Sequence, residues 1–205
     1  MTTTRQVFCA YDENTTAASS GCCFCPRCGA ACVANGARRG KRVECPECQL
    51  VQYRNPAPGV AVVVTQDSCV LLGRRAPGAV FGGQWAFPAG FIQFDEDFLS
   101  AARRETREET GLEVEVTGIL SVSSNFLSAA LHALVVAVAA RPVGGTLRAG
   151  DDLCDLCWVL VTGPYPPLAY EADAHLLRGM ARGSLPVLPV DRRYATTPRL
   201  RRYTP

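Results

Sequence analysis

From residue 60 the chain carries a β-branched apolar run to residue 66, a polar Asp67-Ser68 pair, and a second apolar run over 69–74. Two such runs around a short polar break predict a β-hairpin. A glycine-rich loop follows at 78–83. Over 95–110 the pattern changes: acidic residues at the start, Ala and Arg in the middle and Gly111 at the end predict a helix. Partial alternation over 113–122 predicts a strand, 131–140 a more deeply buried one, and 156–161 a last strand. After a proline-rich stretch, 171–182 reads as a short helix. Strands with two helices predict an α/β or α+β sandwich.

Outside this region the pattern weakens. Residues 1–21 are polar and rich in Thr, Ser and Ala, and are expected to form a flexible N-terminus. Residues 22–54 hold a cysteine-rich segment, and Asn55-Pro56-Ala57-Pro58-Gly59 reads as a linker because its prolines oppose continued regular structure. The main domain is expected over 55–182, with 183–205 a C-terminal tail carrying Pro and Arg without period. A length of 205 residues allows one well-buried domain and a small appendage. Hydrophobic content of 48% with 20% charge is that of a soluble globular chain, and a net charge of +2 selects no partner. The longest apolar run, Ala133 to Ala140, is strand-sized and far below the roughly 18 residues that span a bilayer. No membrane partner is expected. The first twenty residues lack the charged start and apolar core of a secretory signal.

The eleven cysteines change the picture through their spacing. Cys25-Pro-Arg-Cys28 and Cys45-Pro-Glu-Cys48 are two CxxC turns sixteen residues apart, a spacing that reads as a four-thiolate Zn2+ site. Cys22, Cys23 and Cys32 are alternative ligands, less well placed than the paired turns. A closed four-Cys site has no open position for chemistry, so its first role is to hold the segment folded. The unpaired remainder reads as reduced thiols, which favours an intracellular, cytoplasmic location, with an organelle as the alternative. Cys154-Asp-Leu-Cys157 has no partner pair and reads as buried thiols. Arg38, Arg39, Lys41 and Arg42 read as a solvated basic turn, so nucleic acid is not an expected partner.

Chemistry concentrates on the first helix. Glu105, Glu108 and Glu109 stand at i, i+3 and i+4, so their carboxylates share one face. Like charges at this spacing destabilise a helix by roughly 0.2–0.5 kcal/mol per pair. A hard divalent cation turns that repulsion into ligation. Gly90 allows a tight loop whose carbonyl can approach the same ion. A solvated acidic face balanced by Arg103, Arg104 and Arg107 is the alternative.

The full stretch resembles the Nudix box: Gly90, five residues, Glu96, seven residues, Arg104-Glu105, then Glu108-Glu109 and Gly111, so all seven fixed positions match. Thr106 stands where the box has an apolar residue. Leu71-Leu72-Gly73-Arg74-Arg75 and Gly83-Gln84-Trp85-Ala86-Phe87-Pro88-Ala89-Gly90 are similar to the approach to the box in many Nudix hydrolases. The cysteine segment joined through Tyr53-Arg54-Asn55-Pro56 looks like a subgroup carrying an N-terminal zinc ribbon. The resemblance implies an α/β fold, a Nudix-type α/β/α sandwich with a mixed sheet, preceded by a small four-Cys zinc ribbon. It implies Mg2+ or Mn2+ bound by Glu108 and Glu109, with Glu105 binding metal or activating water, Arg104 orienting the glutamates and Glu96 structural. The activity implied is hydrolysis of a phosphoanhydride bond in a nucleoside diphosphate linked to another group, such as ADP-ribose or FAD. Alternatives are a nucleoside triphosphate as substrate, or a non-catalytic nucleotide sensor whose ribbon binds nucleic acid or protein. A homodimer is compatible with all of these.

Other residues extend the expected site. Arg74 and Arg75 end a strand near the cleft and are candidate phosphate contacts. Trp85 and Phe87 are candidate base-stacking residues, with core packing as the alternative. Asp151, Asp152 and Asp155 are candidates for an additional acid, and 123–126 for lining the cleft. NADH pyrophosphatases carry a Ser-Gln-Pro-Trp-Pro-Phe-Pro-type motif after the box; here that region reads Ser121-Val-Ser-Ser-Asn-Phe-Leu, which does not support that substrate. His132 and His175 read as structural.

Overall fold

The structure, a computed structural model, describes residues 7–8, 24–34, 43–53, 55–128 and 131–191. Its elements are β1 (Val7–Phe8), β2 (Val33–Ala34), β3 (Val43–Glu44), β4 (Val51–Gln52), β5 (Ala57–Gln66), β6 (Cys69–Arg75), β7 (Trp85–Ala86), β8 (Ala89–Phe91), α1 (Phe98–Thr110), β9 (Leu112–Phe126), β10 (His132–Gly145), β11 (Leu153–Leu160), α2 (Glu171–Ala181) and β12 (Leu188–Pro189).

A mixed sheet runs in the order β1-β9-β10-β5-β6-β11. β5 and β10 pair in parallel from Ala57↔Ala133 to Ala140↔Val64, while β9 and β10 are antiparallel. The expected hairpin forms between β5 and β6, closed at Gln66↔Cys69. Residues 59–64 of β5 are all buried, because helices cover both faces of the sheet. On one face Val60, Val62, Val64 and Leu71 pack with Leu99, Ala101 and Ala102 of α1. On the other, Val63, Val70 and Leu72 pack with Phe87 and with Leu176 and Leu177 of α2. Each fully buried Val or Leu contributes roughly 1.5–3 kcal/mol by leaving water. This is the expected α/β/α sandwich with a mixed sheet.

Several boundaries differ from the sequence expectation. The linker at 55–59 is shorter than expected, since β5 begins at Ala57; Pro58 is tolerated near the strand's start, where a missing N–H costs little. α1 begins at Phe98 because the Asp97 carboxylate accepts the Leu99 and Ser100 N–H groups at 2.8 and 2.9 Å. Asp95 and Glu96 therefore precede the helix. Gly111 ends it at φ 71°, in the left-handed region, with its N–H on Arg107 O at 2.9 Å. Val7–Phe8, expected within a flexible stretch, pairs in parallel with Ser124–Asn125. Leu188–Pro189, expected in the tail, pairs with Gly118–Ile119.

The short strands β2, β3 and β4 form a separate antiparallel sheet. Two similar turns, one before β2 and one between β3 and β4, accompany it: Gly29 N–H bonds Cys25 O, and Gln49 N–H bonds Cys45 O, both at 2.9 Å. Cys22, Cys23, the basic residues Arg38, Arg39, Lys41 and Arg42, and Arg54 lie outside the described residues.

Candidate functional site

A cleft of about 570 Å³ opens between the C-terminal half of α1, the sheet face that carries α2, and the loops before β7 and β11. Glu105 and Glu109, one turn apart on α1, line it with Gly90. Both are buried, at 7% and 2% exposure. Glu109 accepts a hydrogen bond from Ala89 N–H at 2.9 Å, its one hydrogen-bond partner among the described residues. A carboxylate offers about four acceptor sites, so most of its capacity faces the cleft unmet. Burial pushes the Glu109 carboxyl up to about 8, and the neighbouring Glu105 adds to the rise. Burial raises Glu105 as well. Two buried acids that resist ionisation beside an open cleft have the donor set and the charge deficit that suit a hard divalent cation.

Gly90 belongs to the same arrangement. A Cβ at position 90 would overlap the Glu105 carboxyl, so only glycine lets β8 pass that close to the helix.

Arg104 ties the acids together. Its Nη1 donates to Glu105 Oε1 at 2.7 Å and to Glu108 Oε2 at 3.0 Å. Its Nε donates to Glu96 Oε2 at 3.0 Å, and its Nη2 bonds both Glu96 Oε1 and the Phe91 carbonyl, the latter at 3.0 Å. The guanidinium holds Glu96 below the usual carboxylate range. Glu96 in turn accepts Gln93 N–H at 2.9 Å and fixes the loop that enters α1. Glu108 is exposed and lies outside the cleft lining; Arg104 is its link to Glu105. Thr106, at the box's apolar position, is fully buried, and its hydroxyl donates to Ala102 O at 2.7 Å. The substitution therefore leaves no buried polar group unmet.

The adjacent pair Arg74 and Arg75 is split by strand alternation. Arg75 lines the cleft, donates from Nε to Val80 O at 2.6 Å, stands 3.6 Å from Asp152 and lies over the Tyr170 ring. Arg74 points away, 3.2 Å from Asp155 and over the Trp85 ring. Arg74 and Asp155 are thus placed outside the cleft, while Asp151 and Asp152 line it. Trp85 and Phe87 lie outside it too: both pack into the core beneath α2, Phe87 at 2% exposure. Cys154 is exposed and Cys157 half-buried, contrary to the expected buried pair; Cys154 sits at a register shift between Leu153 and Asp155, where the strand's regular alternation is interrupted. His132 stacks on Phe126, centroids 4.0 Å apart.

The sequence reading missed two cleft residues. Asp173 of α2 is 5% exposed and accepts Phe87 N–H at 3.1 Å; burial pushes its carboxyl up to about 7. Acids in a first helical turn normally face solvent, so the pattern gave no signal. Tyr170, just before α2, also lines the cleft and meets Phe81 edge-on, centroids 5.5 Å apart. Of the polar segment 123–126, Ser123 and Asn125 line the cleft, joined by Ser121.

In the cysteine segment the Sγ atoms of Cys25, Cys28, Cys45 and Cys48 lie within 4.8 Å of one another. Cys25 and Cys48 are 3.6 Å apart, and Cys28 and Cys45 3.5 Å. Thiolates about 2.3 Å from a tetrahedral zinc stand roughly 3.8 Å apart, so the four residues fit that ion. Cys32 is not part of the cluster.

Among the described residues, no helix is long and apolar enough to cross a membrane. A family model described as NUDIX domain matches residues 55–179. The chain is 32% identical over 174 residues to the NAD-capped RNA hydrolase NudC of Pseudomonas aeruginosa, covering 81% of this chain and 59% of that protein. It is 36% identical over 101 residues to an ADP-ribose pyrophosphatase of Methanocaldococcus jannaschii, covering 49% of this chain and 59% of that one. The chain thus spans about three-fifths of the length of these relatives. Its fold matches the crystal structure of a NUDIX hydrolase from Nitrosomonas europaea with a TM-score of 0.69 at 24% identity, covering 80% of this chain and 95% of that one.

Proposed function

Because the chain belongs to the Nudix family, we propose that it catalyses Mg2+- or Mn2+-dependent hydrolysis of a phosphoanhydride bond in a nucleoside diphosphate linked to a second group. The observation that carries this reading is the pair of buried, under-partnered carboxylates, Glu105 and Glu109, facing a cleft against Gly90. When bound there, the divalent ion neutralises phosphate charge and lowers the pKa of water. Glu105, Glu109 and the Gly90 carbonyl would hold it, with Glu108 as a further ligand.

The chain's own residues do the rest. Arg104 keeps Glu105 and Glu108 in one orientation by bonding both through the same nitrogen. Arg75, on the cleft wall, binds a phosphate oxygen in exchange for its long contact with Asp152. Asp152, released from that cation, or Asp151 accepts the proton of the attacking water. Burial beneath α2 excludes bulk water from the inner end of the cleft. Residues 55–182 form the hydrolase domain on this reading, and 22–54 a structural zinc ribbon.

ADP-ribose is the first substrate to test. The likeness to NudC over 81% of the chain supports a second reading, a dinucleotide cap on RNA. It revises the expectation that nucleic acid plays no part, although the motif expected of NADH pyrophosphatases is missing here. The test is product release from ADP-ribose, NADH, FAD, NAD-capped RNA and nucleoside triphosphates with Mg2+, for wild type and Glu108→Gln. Turnover of one class, lost in the variant, supports the reading. Absence of turnover from zinc-loaded, folded protein rejects it in favour of a nucleotide sensor.

A further inference from the structure

Most of the cleft's inner wall is apolar and small. β5 and β10 contribute Gly59, Ala61, Ala133 and Ala137, which leave room over the sheet for a flat group. Beside them β9 presents a polar row, Ser121, Ser123 and Asn125, where a core strand covered by a helix would ordinarily be apolar. Ser123 and Asn125 are 4% and 7% exposed. Asn125 Nδ2 donates to Ser123 Oγ at 3.2 Å, and among the described residues this is the one hydrogen bond of its side chain. An amide has two donor hydrogens and two acceptor lone pairs. One N–H and the whole of Oδ1 are therefore unmet in a nine-tenths-buried side chain that lines a cleft. A ligand that supplies the matching donor and acceptor would use this spare capacity.

We propose that Asn125, oriented by Ser123, reads the nucleobase and selects one with an amino group beside a ring-nitrogen acceptor, adenine, over its 6-oxo counterpart. This deepens the reading above, and rests on it for the identity of the ligand as a nucleotide. The warrant is complementarity. With Nδ2 anchored on Ser123, the free Oδ1 and the second Nδ2 hydrogen form an acceptor–donor pair. Adenine answers with its N6 amino donor and N7 acceptor. Hypoxanthine and guanine present O6 and N7 there, two acceptors, and leave Oδ1 facing a lone pair. Asp173, another nine-tenths-buried polar residue of this cleft, points the same way: its one hydrogen bond among the described residues, from Phe87 N–H, leaves an oxygen that accepts and cannot donate when ionised. A pocket whose spare capacity is weighted to acceptors favours a base with a donor amino group.

The test is equilibrium binding of AMP and IMP to the full zinc-loaded chain at pH 8, for wild type, Asn125→Ala and Asn125→Leu. One lost hydrogen bond to a base edge is worth about tenfold or more in affinity. Wild type is expected to bind AMP at least tenfold more tightly than IMP. Asn125→Ala should bring the two affinities together by weakening AMP. Asn125→Leu, which keeps the size but offers neither donor nor acceptor, should also remove the preference, and it covers the case in which the alanine variant fails to fold. Equal affinity in wild type, or a preference unchanged in both variants, overturns the proposal. Hydrolysis without this base preference leaves the hydrolase reading standing and removes the inference. An Asn125-dependent preference in a chain that hydrolyses nothing does the reverse.

Discussion

Gly90 and Glu105 share one space: the side chain that Gly90 lacks would overlap the Glu105 carboxyl group. Sequence separates them by a loop and half a helix, yet each determines where the other can be. The glycine's place in the motif therefore has a packing cause in addition to its backbone freedom.

Gly90→Ala should displace the Glu105 carboxylate while leaving the sheet intact, since the obstacle is a side-chain end. We expect kcat for the preferred substrate to fall at least 100-fold, with far-UV circular dichroism unchanged. Activity within twofold of wild type would mean that Glu105 can move aside at no cost to its role.

Arg104→Lys keeps the charge and loses the fork. One ammonium cannot serve Glu96, Glu105, Glu108 and the Phe91 carbonyl together, as the guanidinium does. With two of the four partners, Glu96 and Glu105, mostly shielded, we expect a stability loss of about 2 kcal/mol in urea unfolding, and a fall in kcat greater than the rise in KM. An unchanged kcat would show that the glutamates hold their positions without the fork.

Asp173 carries the pH prediction. Burial raises its carboxyl to about 7, against the pull of Arg75, while an exposed Asp titrates near 3.9. Between those values the folded chain keeps a proton that the unfolded chain releases. Stability from this source is complete below about pH 4 and is lost as pH rises through about 7. Asp173→Asn removes the titration yet keeps an oxygen for Phe87 N–H. Wild type should therefore lose stability relative to the variant between pH 5 and pH 8, read as the difference in urea midpoints. Parallel behaviour at both pH values would place the titration outside that window.

Zinc removal should act locally. Chelation, or Cys45→Ser, is expected to abolish bound zinc by metal analysis and open residues 24–53 to proteolysis, because the short strands β2 to β4 have little core of their own. The packed sandwich over 55–191 should keep its thermal transition within a few degrees. Joint loss of both would show that the ribbon supports the larger domain.

The parts legible in sequence were those with a local period. The buried run of β5 and the i, i+3, i+4 glutamates of α1 announce themselves, because helix and strand periods alone decide which way those side chains point. Arg74 and Arg75 show where this fails: alternation assures that only one faces the cleft, but which one depends on the β6–β11 register, a long-range fact. Trp85 and Phe87 were drawn to the core by α2, whose docking site no local pattern records. Asp173 was hidden for the same reason. Asn125 stood in plain view, but its chemistry appears only when its one partner and its spare atoms are known.

The parallel pairing of β5 with β10 has a kinetic consequence. Ala57 and Ala133 are neighbours, and the whole of α1 lies between them in the chain. As the polypeptide is made from its N-terminus, the glutamate-bearing helix emerges before the strand that completes the floor of its cleft. Joining those strands closes a long loop, an entropic cost met before the new contacts reward it. The acids of α1 thus gather early in a setting still open to water, where charge repulsion is weak. Their burial, and the tension between them, waits on β10 and the elements that follow it.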